Sequence, residues 1–285
     1  MVIDSPSNPT VKFLRSLAAG PRQRREAGLF LAEGVRVVSD ALDAGYVPQV
    51  CLYDADMLAR TERGRVLAAR LGALSRTEQG RVFEATPRAI AAAGDTQHPQ
   101  GVVAAFPIPQ WPGTGPRETD SLVLICDDIQ DPGNLGTILR TAEASGVGAV
   151  WLTEHCVDLY SPKVVRAAMG AHFRLPSFPE AAWTDIEAAL SDLGIDAANV
   201  YAADADAPVT YDSADWTAPS ALIVSNEAHG LGEEARQLAT EGGGFITIPM
   251  HDGTESLNAA IAAAVILFEA ARQRRVAHSA TAVPK

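Results

Sequence analysis

The chain has 285 residues, 47% of them hydrophobic and 20% charged, enough apolar material for one large domain or two ordinary ones and too much for a disordered chain. No apolar run approaches the roughly 20 residues that a membrane span requires, and the opening MVIDSPSNPT lacks the basic-then-apolar pattern of a secretory signal, so a cytoplasmic protein is expected. The net charge of −12 argues against a uniformly basic, nucleic-acid-coating surface.

The charge is unevenly spread. Residues 1–106 carry 13 Lys+Arg against 11 Asp+Glu, and residues 107–285 carry 10 against 24. Lys12, Arg15, Arg22, Arg24 and Arg25 fall within fourteen residues and are the candidate RNA-contacting cations; a solvated helix face is the plainer reading of the same run. Cys51, Cys126 and Cys156 are odd in number, widely spaced and without a C-x-x-C pair. They indicate buried thiols, with no disulfide framework and no metal site.

In chain order, apolar periodicity predicts a helix from Thr10, a helix over 34–44, a strand over 48–53, a helix over 57–70 and a strand over 101–106. This is a small α/β domain over residues 1–106. Residues 107–120, PIPQWPGTGPRETD, read as a linker. A second domain over 121–276 then alternates: strand 121–126, helix 135–145, strand 148–152, helix 163–169, strands 199–203 and 221–225, helix 233–239, strand 245–249 and helix 257–275. Residues 277–285 read as a disordered tail. Such alternation specifies an α/β fold with a parallel sheet covered by helices on both faces, whose ligands sit beyond the strand C-termini.

Three loops of that kind hold the unusual polar residues. In DPGNLGTILR, from Asp131, Pro132 and Gly133 force a turn and Asn134 takes the helix N-cap position; Arg140 then lies in a small, apolar turn expected to face the sheet, where it would need a phosphate or carboxylate. In SNEAHGLG, from Ser225, Glu227 stands directly beyond the buried run ALIV. His229 has no neighbouring His or Cys and suits packing or hydrogen bonding better than a metal. In ITIPMHDGTESLNAA, from Ile246, Ser256 and Asn258 stand at the mouth of a long apolar helix whose alanines suit close packing or a dimer interface.

Together the three motifs resemble the SpoU-type branch of the SPOUT RNA 2′-O-ribose methyltransferases. DPGN has Arg six residues after Asn, N-E-x-x-G-L follows, and I-P-M has S-L-N seven residues after Pro249, in the order and spacing of that family over about 121–275. The one departure is Ser225 where the family usually has glycine. NPTVKFLRSL and FLAEGVRVVSDAL resemble, more loosely, the substrate-binding domain often attached to these enzymes, which is similar to RNA-binding ribosomal proteins.

The resemblance implies what periodicity alone does not. It implies a C-terminal trefoil knot, against the general rarity of knots, and S-adenosylmethionine held by Ser225, Asn226, Gly230, Ile248, Met250 and Leu257, chiefly through main-chain atoms of Ser225, Ile248 and Leu257. It implies a catalytic set of Arg140, Asn134, Glu227, Ser256 and Asn258, with Arg140 central; because a guanidinium does not readily lose a proton, Arg140 is expected to bind the target phosphate and the developing oxyanion, the proton leaving through water or a deprotonated minority form. It further implies a homodimer that completes each RNA site across its interface, and a structured RNA substrate, 23S ribosomal RNA being favoured over transfer RNA. Some relatives protect ribosomes against antibiotics, which no residue here decides. The rival readings are a non-catalytic RNA-binding or ribosome-assembly factor with the same fold, and a nucleotide-dependent dehydrogenase, disfavoured by the lack of a G-x-G-x-x-G fingerprint.

Overall fold

Local capping sets the first elements. In α1 (Pro9–Ala19), the Asn8 side chain accepts the Thr10 amide at 2.8 Å, Pro9 occupies the first helical position, and Val11, Leu14 and Leu17 form the buried face. Then come α2 (Pro21–Ala27), β1 (Leu29–Glu33), α3 (Val35–Asp43) and β2 (Val50–Tyr53). The single helix expected over 57–70 is two helices. Asp54 caps α4 (Ala55–Leu58) by accepting the Met57 amide at 2.8 Å, and Thr61 starts α5 (Glu62–Leu74) by accepting the Gly64 amide at 3.0 Å. A strong N-cap inside an apolar pattern begins a new helix. β3 (Arg81–Glu84), α6 (Pro87–Ala93) and β4 (Val102–Pro107) complete a four-stranded sheet of order β1-β4-β2-β3, in which β4 is antiparallel to both neighbours and β2 is parallel to β3. Leu14 and Leu17 of α1 and Ile90 of α6 pack on Leu31, Leu52 and Val103 of this sheet.

This computed structural model describes residues 2–77, 80–112, 122–226, 229–251 and 256–281. After the first sheet the chain forms β5 (Leu122–Asp127), α7 (Pro132–Ser145), β6 (Ala149–Thr153), α8 (Pro162–Ala168), β7 (Ser177–Ala181), α9 (Trp183–Asp192), β8 (Val200–Ala203), β9 (Val209–Thr210), β10 (Ser220–Ser225), α10 (Glu233–Glu241), β11 (Gly244–Thr247) and α11 (Ala259–Thr281). The seven strands order as β7-β6-β5-β10-β8-β11-β9 and every pairing is parallel. β5 is buried throughout, as a central strand covered on both faces must be. One face packs Ile186, Leu190, Ala235 and Ala239 of α9 and α10 against Val123, Ile125, Ala202 and Ile223; α7 and α11 pack on one another elsewhere, with α11 against β10. The chain runs outward from β5 to β6 and β7, then returns to the other side of β5 for β8. That reversal opens a crevice at the strand C-termini.

Contacts divide the chain into one unit of Met1–Gln110 with Asp158–Arg174 and another of Trp111–Val157 with Leu175–Lys285. The segment carrying α8, which lies between β6 and β7 in sequence, thus packs in the first unit. There Tyr160, His172 and Phe173 surround Phe30, with ring centroids 5.1, 5.9 and 5.4 Å away. His172 is buried; its Nε2 lies 2.8 Å from the Leu159 carbonyl oxygen, and burial pulls its pKa down to about 4. α11 runs to Thr281, so residues 277–281 of the expected disordered tail are helical, while 282–285 lie outside the described residues. No helix among the described residues is long and apolar enough to cross a membrane.

Candidate active site

The crevice holds a cavity of about 280 Å³ beyond the ends of β8, β10 and β11. Ser225, Asn226, Gly230, Ile248, Met250 and Leu257, far apart in sequence, all line it, and Ser256 joins them. The reason lies at the end of β10. Ser225 pairs with Asp127 in the parallel register, and the chain then doubles back: the Gly230 amide donates to the Asn226 carbonyl at 2.9 Å, with Gly230 at φ 67, a conformation that favours glycine. The turn is tied to the first loop. Asn226 Nδ2 donates to the Asp128 carbonyl at 3.3 Å, and the buried Asp127 carboxylate accepts the Gly232 amide at 2.8 Å and the Thr153 hydroxyl at 3.3 Å.

A fourth loop, absent from the sequence reading, supplies another wall. Ala203, Asp204, Ala205 and Asp206 leave β8 and line the cavity. Asp204 is fixed by its amide donating to the Ile246 carbonyl at 2.9 Å, and its Oδ1 accepts the Asp206 amide at 3.0 Å. Thr247 Oγ1 donates to the Ala205 carbonyl at 2.9 Å. Two carboxylates directly after the apolar strand V-Y-A-A were the available signal, by the same strand-end rule that marked the other loops. Arg236 of α10, also missed, lines the cavity as well.

The N-termini of α7 and α11 meet beside these loops. Asn258 Oδ1 caps α11 by accepting the Ala260 and Ile261 amides at 3.1 and 3.3 Å, and its Nδ2 donates to Asn134 Oδ1 at 2.9 Å. Asn134 is therefore not the cap of α7: Asp131 is, accepting the Asn134 amide at 2.8 Å with Pro132 in the first helical position. This frees the Asn134 side chain to reach α11.

A model of the SpoU rRNA Methylase family matches residues 121–268, and one of the MRM3-like substrate binding domain matches residues 8–104. The chain is 33% identical to the mitochondrial rRNA methyltransferase 3 of Mus musculus, covering 89% of this chain and 69% of that protein. It is 29% identical to the 23S rRNA (guanosine(2553)-2′-O)-methyltransferase RlmP of Bacillus subtilis, covering 93% and 97%. The crystal structure of the SpoU methyltransferase AviRb from Streptomyces viridochromogenes in complex with AdoMet superposes with a TM-score of 0.78 at 29% identity, covering 94% and 100%. The chain belongs to the SpoU rRNA methylase family.

Two candidate residues of this SpoU methylase sit differently from the sequence reading. Arg140 is exposed and makes no hydrogen bond or ion pair among the described residues, rather than facing the sheet. The helical period explains this: Leu135, Ile138, Leu139, Ala142 and Ser145 form the buried stripe of α7, and Arg140 falls off it with Thr137 and Ala144. Arg24 is buried, donating to the Leu17 carbonyl and paired with Asp158, so it serves the first unit's core and not its surface. Lys12, Arg15, Arg22 and Arg25 are exposed on α1 and α2, and Arg22 pairs with Glu26 at 2.7 Å. Ser256 and Asn258 are exposed. Glu227 lies outside the described residues. His229 Nδ1 is 3.5 Å from Asp128 Oδ2, and the described residues contain no group of three His, Cys, Asp or Glu side chains placed to hold a metal.

Proposed function

We propose that this protein transfers the methyl group of S-adenosylmethionine to a ribose 2′-hydroxyl of ribosomal RNA, the large-subunit RNA being favoured. One observation carries the reading: six dispersed residues converge on a single cavity at the switch point of a parallel sheet, beside the Asn134–Asn258 bridge. The cavity fits the cofactor's chemistry. Its volume lies just below the roughly 300–1,000 Å³ usual for small-molecule sites; Val224, Ile246, Ile248 and Ile266 offer an apolar wall for a purine, and Ser225 and Asn226 offer polar groups. When bound, the cofactor supplies an electrophilic methyl on a sulfonium.

The chain's own residues must orient and activate a poorly nucleophilic hydroxyl. Asn134 and Asn258 present amides at the mouth of the site, and Arg140 supplies a permanent positive charge for the phosphate and the developing alkoxide. A guanidinium does not readily give up its proton, so its role is electrostatic and the hydroxyl proton leaves to water. In Arg140→Lys, turnover should fall well below wild type; near-full activity from lysine, a far easier base, would sink this assignment.

The same proposal includes the family's knot, a cytoplasmic location and a homodimer. Ile261 and Phe268 are 51% and 52% exposed. Seven residues apart, they share one face of α11, and this supports pairing of copies. Light scattering should give twice the chain mass, and half that mass for Phe268→Asp; a wild-type monomer at micromolar concentration would refute the pairing. The central test is calorimetry with S-adenosylmethionine, followed by labelled methyl transfer to ribosomal RNA and ribose-methylation mapping. Binding with transfer to neither ribosomal nor transfer RNA would point to the non-catalytic assembly factor instead.

A further inference from the structure

Among the described residues lining the cavity, three side chains are ionisable: Asp204, Asp206 and Arg236. None belongs to the three motifs. They approach from two directions, the aspartates on the loop leaving β8 and the arginine on the first turn of α10. Val224, Ile246, Ile248 and Ile266 line the same cavity and carry no charge. A ligand suited to both linings has an apolar aromatic part and a part bearing charges of both signs.

The Arg236 guanidinium is held but not used up. Nε donates to the Leu231 carbonyl at 3.2 Å, which fixes its plane against the loop that follows β10. Nη1 stands 3.8 Å from Asp204 Oδ2, beyond hydrogen-bond length, so the pair is slack. Nη2 borders Gly230, 3.5 Å from where a side chain there would begin. Both terminal nitrogens are thus available to a carboxylate, for which a guanidinium edge is the matched partner. The Asp204 carboxylate, pinned through Oδ1 by the Asp206 amide, keeps Oδ2 for an ammonium.

We propose that Arg236 and Asp204, with Asp206 at their rim, form the subsite that reads the amino-acid end of the methyl donor, Arg236 its carboxylate and Asp204 its ammonium. The inference rests on the cofactor assigned above and adds what selects it: an adenosine thioether carrying a zwitterion in place of a bare adenosine.

Calorimetry on the full chain tests it with two probes, S-adenosylhomocysteine and 5′-methylthioadenosine, which share the adenosine thioether but differ in the amino-acid end. Wild type should bind the former at least about tenfold more tightly, one charge-assisted hydrogen-bonded contact's worth. Arg236→Gln should collapse that ratio toward unity, weakening S-adenosylhomocysteine about ten- to a hundredfold while 5′-methylthioadenosine stays within about twofold. Arg236→Lys should recover part of the ratio, and Asp204→Asn should reduce it as well. Equal loss for both probes would mean that Arg236 only buttresses the Leu231 loop, and no loss would mean that it faces solvent; either overturns the subsite. A wild-type protein that binds neither probe would overturn the cofactor reading itself, and a variant with an unchanged wild-type thermal midpoint separates the subsite's failure from unfolding.

Discussion

His172 makes the first unit acid-labile in a way that can be isolated. Its Nε2 faces the Leu159 carbonyl oxygen and so carries the proton of the neutral ring, while Nδ1 is buried with no hydrogen-bond partner among the described residues. Protonation would place a second N–H and a charge beside Phe30, Tyr160 and Phe173 with nothing to accept it. Burial is the main reason the pKa falls to about 4 from 6.5, outweighing the Leu159 hydrogen bond and the nearby Asp158, which act the other way. Because the folded value is the lower one, the stabilisation is complete above pH 6.5 and is lost as pH falls toward 4. At about 1.4 kcal/mol per unit the whole loss is about 3 kcal/mol, and at pH 5 roughly 2 kcal/mol of it has been spent. The comparison is with His172→Gln, which keeps a donor for Leu159 and cannot titrate; other acid-titrating groups are common to both proteins and cancel. Urea unfolding at pH 8, 6.5 and 5, with hydrogen exchange of β1 as the local probe, should show the wild-type advantage shrinking by about 2 kcal/mol at pH 5. An advantage constant within about 0.5 kcal/mol from pH 8 to 5 would refute the reasoning.

Three further outcomes are expected. Arg24→Ala should destabilise the protein by about 1–3 kcal/mol, since the half-exposed Asp158 loses its cation and the Leu17 carbonyl its donor, measured by chemical denaturation, whereas Arg15→Ala should leave stability unchanged and lower the salt slope of RNA binding by about one unit. Asn258→Ala should cost about 1–2 kcal/mol in stability from the lost α11 cap and reduce kcat more than KM for RNA; an effect on stability alone would confine Asn258 to capping. Burial pushes the thiols of Cys51 and Cys126 upward, and that of Cys156 up to about 11, so a thiol reagent at pH 8 should label native protein slowly and urea-unfolded protein at once.

How far sequence reaches depends on what kind of constraint a residue obeys. The strand-end loops were legible because carboxyl ends of buried parallel strands are where polar residues collect, and Ser225, Gly230 and Leu257 do line one cavity. Arg140 and Arg24 were misplaced because small neighbours say little about a helix's buried stripe, and because Asp158, the residue that draws Arg24 inward, is 134 positions away. β7 hid behind Pro179, tolerated because it is an edge strand, and β9 has two residues, too few for any period. Asp204 and Arg236 carry no motif; only the fold places a strand-exit carboxylate beside a helix guanidinium.

The return of residues 158–174 to the first unit bears on how this protein can be dissected. A fragment cut at the proline-rich stretch near residue 110 would keep Phe30 and Arg24 yet lose Tyr160, His172, Phe173 and Asp158, leaving an open aromatic hole and an orphaned guanidinium. A fragment ending there should therefore be less stable than the intact first unit, and restoring it calls for residues 158–174 to be joined back through a short linker.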